Sequence, residues 1–481
     1  MSISTGSHSK VLDRAQIALH DDFLRGAVRF TTDRLRNKKQ SVTESFGNWE
    51  QWRERGEQIR AHTIANLDVY LQQFTDKLET LGAKVQFAAD AKEAVIAVQE
   101  VVQNKEAHKV VKSKSMVSEE IHINHHLEES GVRVVETDLG EYIIQLANET
   151  PSHIIIPAIH KNREQIRELF EADGAVNLTT ETTQLTAFAR QKLREEFLSA
   201  DIGITGCNFA IAETGSIVLF TNEGNADMVM NLPKTHIVIM GMERILPSLA
   251  DLEVMAHLLP KSATGQNVIT YMSMVTGPKR TDDLDGATEM HVIILDNGRS
   301  KQLGDPQFQS LLNCIRCGAC LNVCPVYRQI GGHAYGSVYP GPIGAVLSPL
   351  LNEGEAFRDL PYASSLCGAC YEACPVRIPL HDMLVHQRQR QVQQGHGKPM
   401  ERIAFNGYQR FFGKYKRYKF AVRMARSLQG VVARDGKITA RIGPLTGWTS
   451  TRDFPALPSK SFRDLWPELA NNSEEDNREQ G

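Results

Sequence analysis

Two short runs of cysteine constrain this chain more than any other feature in it. Cys314-Ile-Arg-Cys317-Gly-Ala-Cys320-Leu-Asn-Val-Cys324-Pro is followed by Ser364-Ser-Leu-Cys367-Gly-Ala-Cys370-Tyr-Glu-Ala-Cys374-Pro. Superposed, the runs agree at every cysteine except the first, where the second run has Ser364. Of 8 cysteines in 481 residues, only Cys207 lies outside them. The chain begins MSISTGSHSKVLDRAQ, without the basic start and apolar stretch of a secretory leader. Clustered cysteines in such a chain point to metal or redox work, not to disulfide staples.

In CxxCxxCxxxCP, three closely spaced thiolates wrap three corners of an iron-sulfur cube from one turn. The fourth, followed by proline, reaches the other cluster in two-cluster proteins. Thiolates suit soft iron better than carboxylates do. Structural zinc is the plain alternative, but zinc sites usually pair CxxC units and have no use for a third close cysteine. The crossover rule predicts one cluster on Cys314, Cys317, Cys320 and Cys374, and another on Cys324, Cys367 and Cys370, with Ser364 at the position left over. The expectation is two [4Fe-4S] clusters, close enough for stepwise one-electron transfer. Four readings of Ser364 stay open: an oxygen ligand, a second cluster of the [3Fe-4S] form, an iron holding water or substrate, or a ligand from elsewhere. Cys207 is a candidate for the last, although it reads as a small buried residue in a glycine-rich turn.

The rest of the chain divides by pattern. Residues 1–80 carry apolar positions at helical spacing between charges. Residues 81–300 alternate short apolar strands (KVQFA, HKVV, VRVV, SHIIIPAIH, DIGITG, THIVIMG, EMHVIIL) with polar helical segments, the signature of a mostly parallel α/β sheet. FAIAET, SIVLFTN and THIVIMG follow one another closely, which predicts a hairpin-like, antiparallel patch. Asp296–Asp305 reads as a boundary. Residues 301–395 hold the cysteines, with helices around the motifs and a Gly/Pro-rich spacer carrying one short helix. Residues 396–481 read as a basic helical stretch and a Pro-rich tail, ending in a disordered NNSEEDNREQG. No run of about 18 apolar residues is present, and a formal net charge of -3 gives no reason to expect nucleic acid.

Other stretches look site-like in the α/β part. Lys112-Ser-Lys114-Ser follows a strand, as do Glu213-Thr-Gly-Ser216, Asn222-Glu-Gly-Asn-Ala226 and the Gly277-Pro-Lys279-Arg280 stretch. Strand ends are where such sheets bind ligands, and these lysines and Arg280 suit an anion; tight turns and solvated faces are the bland alternative. His122, His125 and His126 lie on a charged helix and read as ordinary surface. Neither a GxGxxG nor a P-loop pattern occurs, so dinucleotide chemistry is unsupported. The basic, aromatic stretch Phe411–Arg426 suits packing on its own domain, docking a partner, or lying on a membrane surface.

The 42-residue spacer between the motifs, residues 325–366, resembles that of α-helical ferredoxin domains in succinate dehydrogenase iron-sulfur subunits, heterodisulfide reductase and glycolate oxidase. Taken together, KSKSMVSEEI, AETGSIVLFTNEGNADM, GPKRTDDLDGA, both cysteine motifs and PALPSKSFRDLW resemble the lactate utilization protein B family over essentially the full length. That resemblance implies an N-terminal domain related to ribose-phosphate isomerase and CoA-transferase folds, followed by a ferredoxin-like, mainly helical two-cluster domain. It implies electron transfer during oxidation of L-lactate to pyruvate, beside two sister proteins, with quinone or the respiratory chain downstream. The expected compartment is the cytoplasm, the basic stretch leaving contact with the inner membrane face open. Two other roles compete: catalysis at an open iron of the second cluster that binds the 2-hydroxy acid, and a scaffold whose α/β domain binds an anionic metabolite.

Overall fold

The computed structural model describes residues 10–469 apart from 353, 397–398, 432, 439–451 and 468. The expected disordered tail, 471–481, lies outside the described residues. Amphipathic periodicity in the first 80 positions yields four helices: α1 (Val11–Leu19), α2 (Asp22–Phe46), α3 (Trp49–Ala65) and α4 (Leu67–Thr80). Asp21 caps α2 by accepting from the Leu24 amide. The apolar faces of α2 and α3, with Val28 and Ile59, join the core that surrounds the cysteines.

Ten strands build two sheets. In chain order they are β1 (Lys84–Ala88), β2 (Lys109–Lys112), β3 (Arg133–Glu136), β4 (Ile202–Thr205), β5 (Phe209–Ile211), β6 (Ser216–Thr221), β7 (Thr235–Gly241), β8 (Ile245–Leu246), β9 (Tyr271–Val275) and β10 (Glu289–Leu295). The main sheet runs β1-β10-β7-β4-β2-β3 with every neighbour parallel. Its inner strands are continuous apolar runs because helices cover both faces; β4 and β7 are buried at every residue. Strands β8, β5, β6 and β9 form a smaller sheet.

Two expectations change. β5 and β6 are an antiparallel hairpin, but a helix, Asn225–Asn231, intervenes before β7, which joins the parallel sheet instead. Gly224, at φ 70°, turns the chain into that helix. Second, Ile154-Ile-Ile156 is no strand: Pro151 and Pro157 bracket it, and its amides turn inward. The Ile155 and Ile156 amides donate to His153 Nδ1 at 3.0 and 3.2 Å. The segment 296–305, read as a boundary, is itself packed. Arg299, in the helix Arg299–Leu303, is fully buried between the strand ends and the cysteine-bearing segment.

The described residues up to Arg390 form one compact unit, and those from Gln391 onward a second. The second contains helices Pro399–Phe412 and Tyr415–Gln429 and a small three-stranded sheet. Its basic, aromatic stretch packs partly on itself: Tyr408 stacks on Phe412 at 4.5 Å, and Arg463 lies over the Tyr415 ring at 5.3 Å. No helix among the described residues is long and apolar enough to cross a membrane.

Candidate metal centre

Local sequence gives the two cysteine loops one backbone. Arg316 and Leu366 are both left-handed, at φ 58° and 56°, and Gly318 and Gly368 follow at 72° and 80°. Helices Ala319–Val323 and Ala369–Ala373 then begin at the same step of each repeat and pack on one another. Even the side-chain bond at the head of each loop repeats. The Arg316 amide donates to Cys314 Sγ at 3.4 Å, and the Leu366 amide to Ser364 Oγ at 3.1 Å. Ser364 therefore sits where its repeat would carry the missing cysteine.

The fold draws the seven cysteines into two groups. Cys314, Cys317, Cys320 and Cys374 line one small cavity, together with Arg316, Gly318 and apolar side chains such as Ile154, Ile343 and Val376. Cys324 has Cys367 and Cys370 as its electrostatic neighbours. Cys320 feels Cys370, so the two groups adjoin. Backbone amides aim at the sulfurs: Tyr327 N–H at Cys324 Sγ, 3.5 Å, and Ile378 N–H at Cys374 Sγ, 3.4 Å. Five of the seven are buried, whereas Cys314 is half-buried and Cys367 exposed.

This donor set fits an iron-sulfur group. Burial, with repulsion from Cys374, pushes the Cys317 thiol up to about 12; burial and Cys324 push Cys370 to about 12. Crowded buried thiols become thiolates only when positive charge meets them, as a metal would supply. Protein cations are already nearby. Lys39 of α2 donates to Ala373 O and acts on Cys317, Cys374 and Cys320. Arg53 of α3 donates to Cys374 O and Tyr371 O, both at 2.9 Å. Arg60, Arg244 and Arg316 all act on Cys314. The Nε atoms of these three, and Nη1 of Arg316, are buried without a hydrogen-bond partner among the described residues.

The site lies against the C-terminal ends of the parallel strands. Glu243, just past β7, bonds Arg299 Nε at 2.7 Å and meets Arg316 Nη2 at 3.4 Å. Burial works against its charge, but Arg299, Arg244 and Arg316 hold its carboxyl down at about 2. Glu120 takes Arg299 through both oxygens and accepts from the Tyr339 hydroxyl at 2.6 Å. The loop containing Ile154 docks beside the first motif. His153 Nδ1 accepts two amides, so the proton is on Nε2, which donates to Asn322 Oδ1 at 3.1 Å; burial lowers its pKa to about 3. Gly318 is needed here: a Cβ would stand 3.2 Å from Ile155 and 3.3 Å from His153, at a positive φ.

The other sequence candidates scatter. Lys112 is fully buried and held by Glu136 at 2.7 Å and Glu119 at 2.8 Å, so it offers nothing to an outside anion. Lys114 donates to Ile155 O at 2.8 Å. Lys279 and Arg280 follow β9 of the other sheet, with Arg280 exposed. Cys207 packs in the core beside β5, and burial pushes its thiol up to about 12. His122 caps a helix and is exposed, while His125 and His126 pair with Glu129. Sequence reasoning missed Lys39, Arg53, Arg60, Arg244 and His153, which come from distant elements. Arg316 was visible within the motif, as the residue that Leu366 replaces in the second repeat.

Three family models match the chain: the LUD domain over residues 71–295, a 4Fe-4S dicluster domain over 310–378, and the lactate utilisation protein B C-terminal region over 384–470. Among curated proteins, lactate utilization protein B of Macrococcus caseolyticus is 52% identical over 93% of this chain and 94% of its own. That of Oceanobacillus iheyensis is 50% identical over 98% of both chains. That of Bacillus cytotoxicus is 50% identical over 96% of this chain and 98% of its own. Identity of about half over nearly the full length shows that the chain belongs to the lactate utilization protein B family.

Proposed function

We propose that this chain is an electron-transfer subunit in the oxidation of L-lactate to pyruvate, passing electrons one at a time through two iron-sulfur clusters. Cys314, Cys317, Cys320 and Cys374 hold the first. Cys324, Cys367 and Cys370 hold the second, with Ser364 at its fourth position. The observation that carries this reading is the cavity that Cys374, from the second motif, shares with three cysteines of the first. Such clusters supply reversible one-electron storage. The residues supply the rest: the thiolates anchor, the Tyr327 and Ile378 amides donate toward sulfur, and Ile154, Ile343 and Val376 keep water from the first site. Membership of the lactate utilization protein B family supports two sister proteins as partners, with an acceptor such as quinone downstream; no dinucleotide motif offers a two-electron carrier in this sequence. The α/β domain, roughly 81–300, is read as CoA-transferase-like and the segment 301–395 as ferredoxin-like. The helices of 1–80 buttress them, 396–481 is a tail region, and the place of work is the cytoplasm.

Iron and sulfide content with EPR on anaerobically purified protein tests this. About eight irons per chain, silent when oxidised and signalling after dithionite, are expected for two four-iron clusters. About seven, with a sharp signal in the oxidised state, means a three-iron second cluster. A folded chain without iron or sulfide sinks the reading. Exposure of Cys367 and partial exposure of Ser364 favour one second reading, in which the hydroxy acid binds at the second site. A lactate-induced change confined to that site's spectrum is its test.

A further inference from the structure

We propose that the buried cations around the four-cysteine site make it the electron reservoir of the pair, with Arg316 as the residue that sets its reduction potential above that of the second site. This deepens the reading that both cysteine sets hold clusters, and rests on it. The two loops share a backbone, so their surroundings decide how they differ. Arg316 is buried at the first loop, its guanidinium 4.8 Å over the Tyr339 ring and 3.4 Å from Glu243. Leu366, in the same left-handed position of the second loop, is an exposed hydrocarbon.

Around Arg316, Arg60 donates to Ile245 O at 2.6 Å and Leu312 O at 3.0 Å, and Arg244 stays buried nearby. Three guanidinium groups, those of Arg244, Arg299 and Arg316, thus share two buried carboxylates, Glu120 and Glu243, and Arg60 is held only by backbone carbonyls beside them. Lys39 adds a further charge that acts on Cys317, Cys374 and Cys320. Cys324 and Cys370 instead meet one another, Cys367, backbone amides and the Tyr335 hydroxyl. Arg388 does reach the second loop, but at the carbonyl oxygens of Pro361 and Ser364.

Each added electron is a negative charge. Burial alone disfavours it at the first site, whereas water helps the second through the exposed Cys367. Unscreened surplus cations oppose the burial effect and prevail, because charges that water cannot reach act at low dielectric. An electron passing from the second site to the first oxidises one by a single unit and reduces the other by the same, with no bond made or broken.

A potentiometric EPR titration of the full, cluster-loaded chain tests this. Ser364→Cys identifies the second-site signal, since only that signal changes shape. The first site is expected to reduce at the higher potential. Arg316→Leu should lower it at least tenfold in reduction equilibrium, 59 mV for one electron, while Arg316→Lys restores most of the shift and the second site stays put. Lys39→Met, on a separate helix, should lower the first potential too, and it decides the matter if Arg316→Leu does not assemble. A first site that titrates below the second, or a first potential unmoved by removing either cation, overturns the proposal. A wild-type chain that folds without iron overturns the reading beneath it instead, before any potential is measured.

Discussion

Two clusters of buried charge, both near the ends of the parallel strands, are unbalanced in opposite directions. At the end of β2, Lys112 is surrounded by Glu119, Glu136 and Glu141. At the junction with the cysteine loops, Arg244, Arg299 and Arg316 share Glu120 and Glu243, and Arg60 is buried beside them on backbone carbonyls. A surplus of carboxylates can be relieved by protons. Burial pushes Glu136 up and Glu141 well above the ordinary carboxylate range, the neighbouring acids adding to it. A surplus of guanidinium groups has no such outlet, because arginine does not give up its proton in proteins. It calls for an anion from outside the chain, and an iron-sulfur group on four thiolates is one. The first cluster of charge is complete as a protein interior; on the proposed reading, the second is completed by the cofactor.

The comparison is broken most directly at Lys112. Its ammonium bridges Glu136 of the neighbouring strand and Glu119, with Ser118 Oγ at 3.1 Å. Lys112→Met leaves the carboxylates without their cation and should destabilise the fold by about 3–5 kcal/mol in urea unfolding. A loss under about 1 kcal/mol means that the acids simply take up protons and that the lysine is not what balances them.

Removal of iron tests the other half. Anaerobic chelation should loosen the arginine-rich junction and spare the carboxylate-rich one. By hydrogen exchange, amides of 314–324 and 367–378 should exchange at least about 100-fold faster, equivalent to about 2.7 kcal/mol. Amides of β2 and β3, paired along their whole lengths, should keep their protection. Equal loss in both places indicates that the metal supports the whole fold, not this junction.

Much of this was legible in the sequence because its signals are local. Helical spacing marks α1 to α4, and unbroken apolar runs such as Ile237-Val-Ile-Met240 mark strands buried on both faces. The cysteine spacing points to the thiols that share a cavity. What stayed hidden depends on contacts across the chain. Ile154-Ile-Ile156 has a strand's composition, yet its role is to seal the first loop, and only the position of His153 against Asn322 reveals it. The helix between β6 and β7 was masked by the short, mixed NADMVMN, in which a left-handed glycine supplies the start. Lys39, Arg53 and Arg60 look like any other charges on amphipathic helices. Their burial follows from what packs over α2 and α3, some 300 residues downstream.

Protons provide a gentler probe of the carboxylate surplus. A carboxyl whose folded pKa is raised holds its proton after the unfolded chain has released it. Its stability contribution is therefore complete below the unfolded value, about 4.3, and is lost as pH rises toward the folded one. Glu141→Gln keeps the shape and removes the titration. At pH 4 the two proteins should differ by about 1 kcal/mol or less; as pH climbs, the variant should gain on the wild type. A difference independent of pH between 4 and 8 means that Glu141 is ionised in the fold, and with it the claim that protons relieve this surplus fails.

The smallest effect is expected at Leu366, and it separates charge from burial. Leu366→Arg places in the second loop the residue that the first loop carries, on the same backbone but in water. Stability should move by about 0.5 kcal/mol or less, as for most surface changes. The second site's potential should rise by less than the first falls in Arg316→Leu, since water and salt screen an exposed guanidinium. Raising ionic strength should erase the rise at Leu366→Arg while leaving the effect at Arg316 in place. Should both respond equally to salt, the buried cations at the first loop are not shielded from solvent, and the contrast between the two loops reduces to a count of charges.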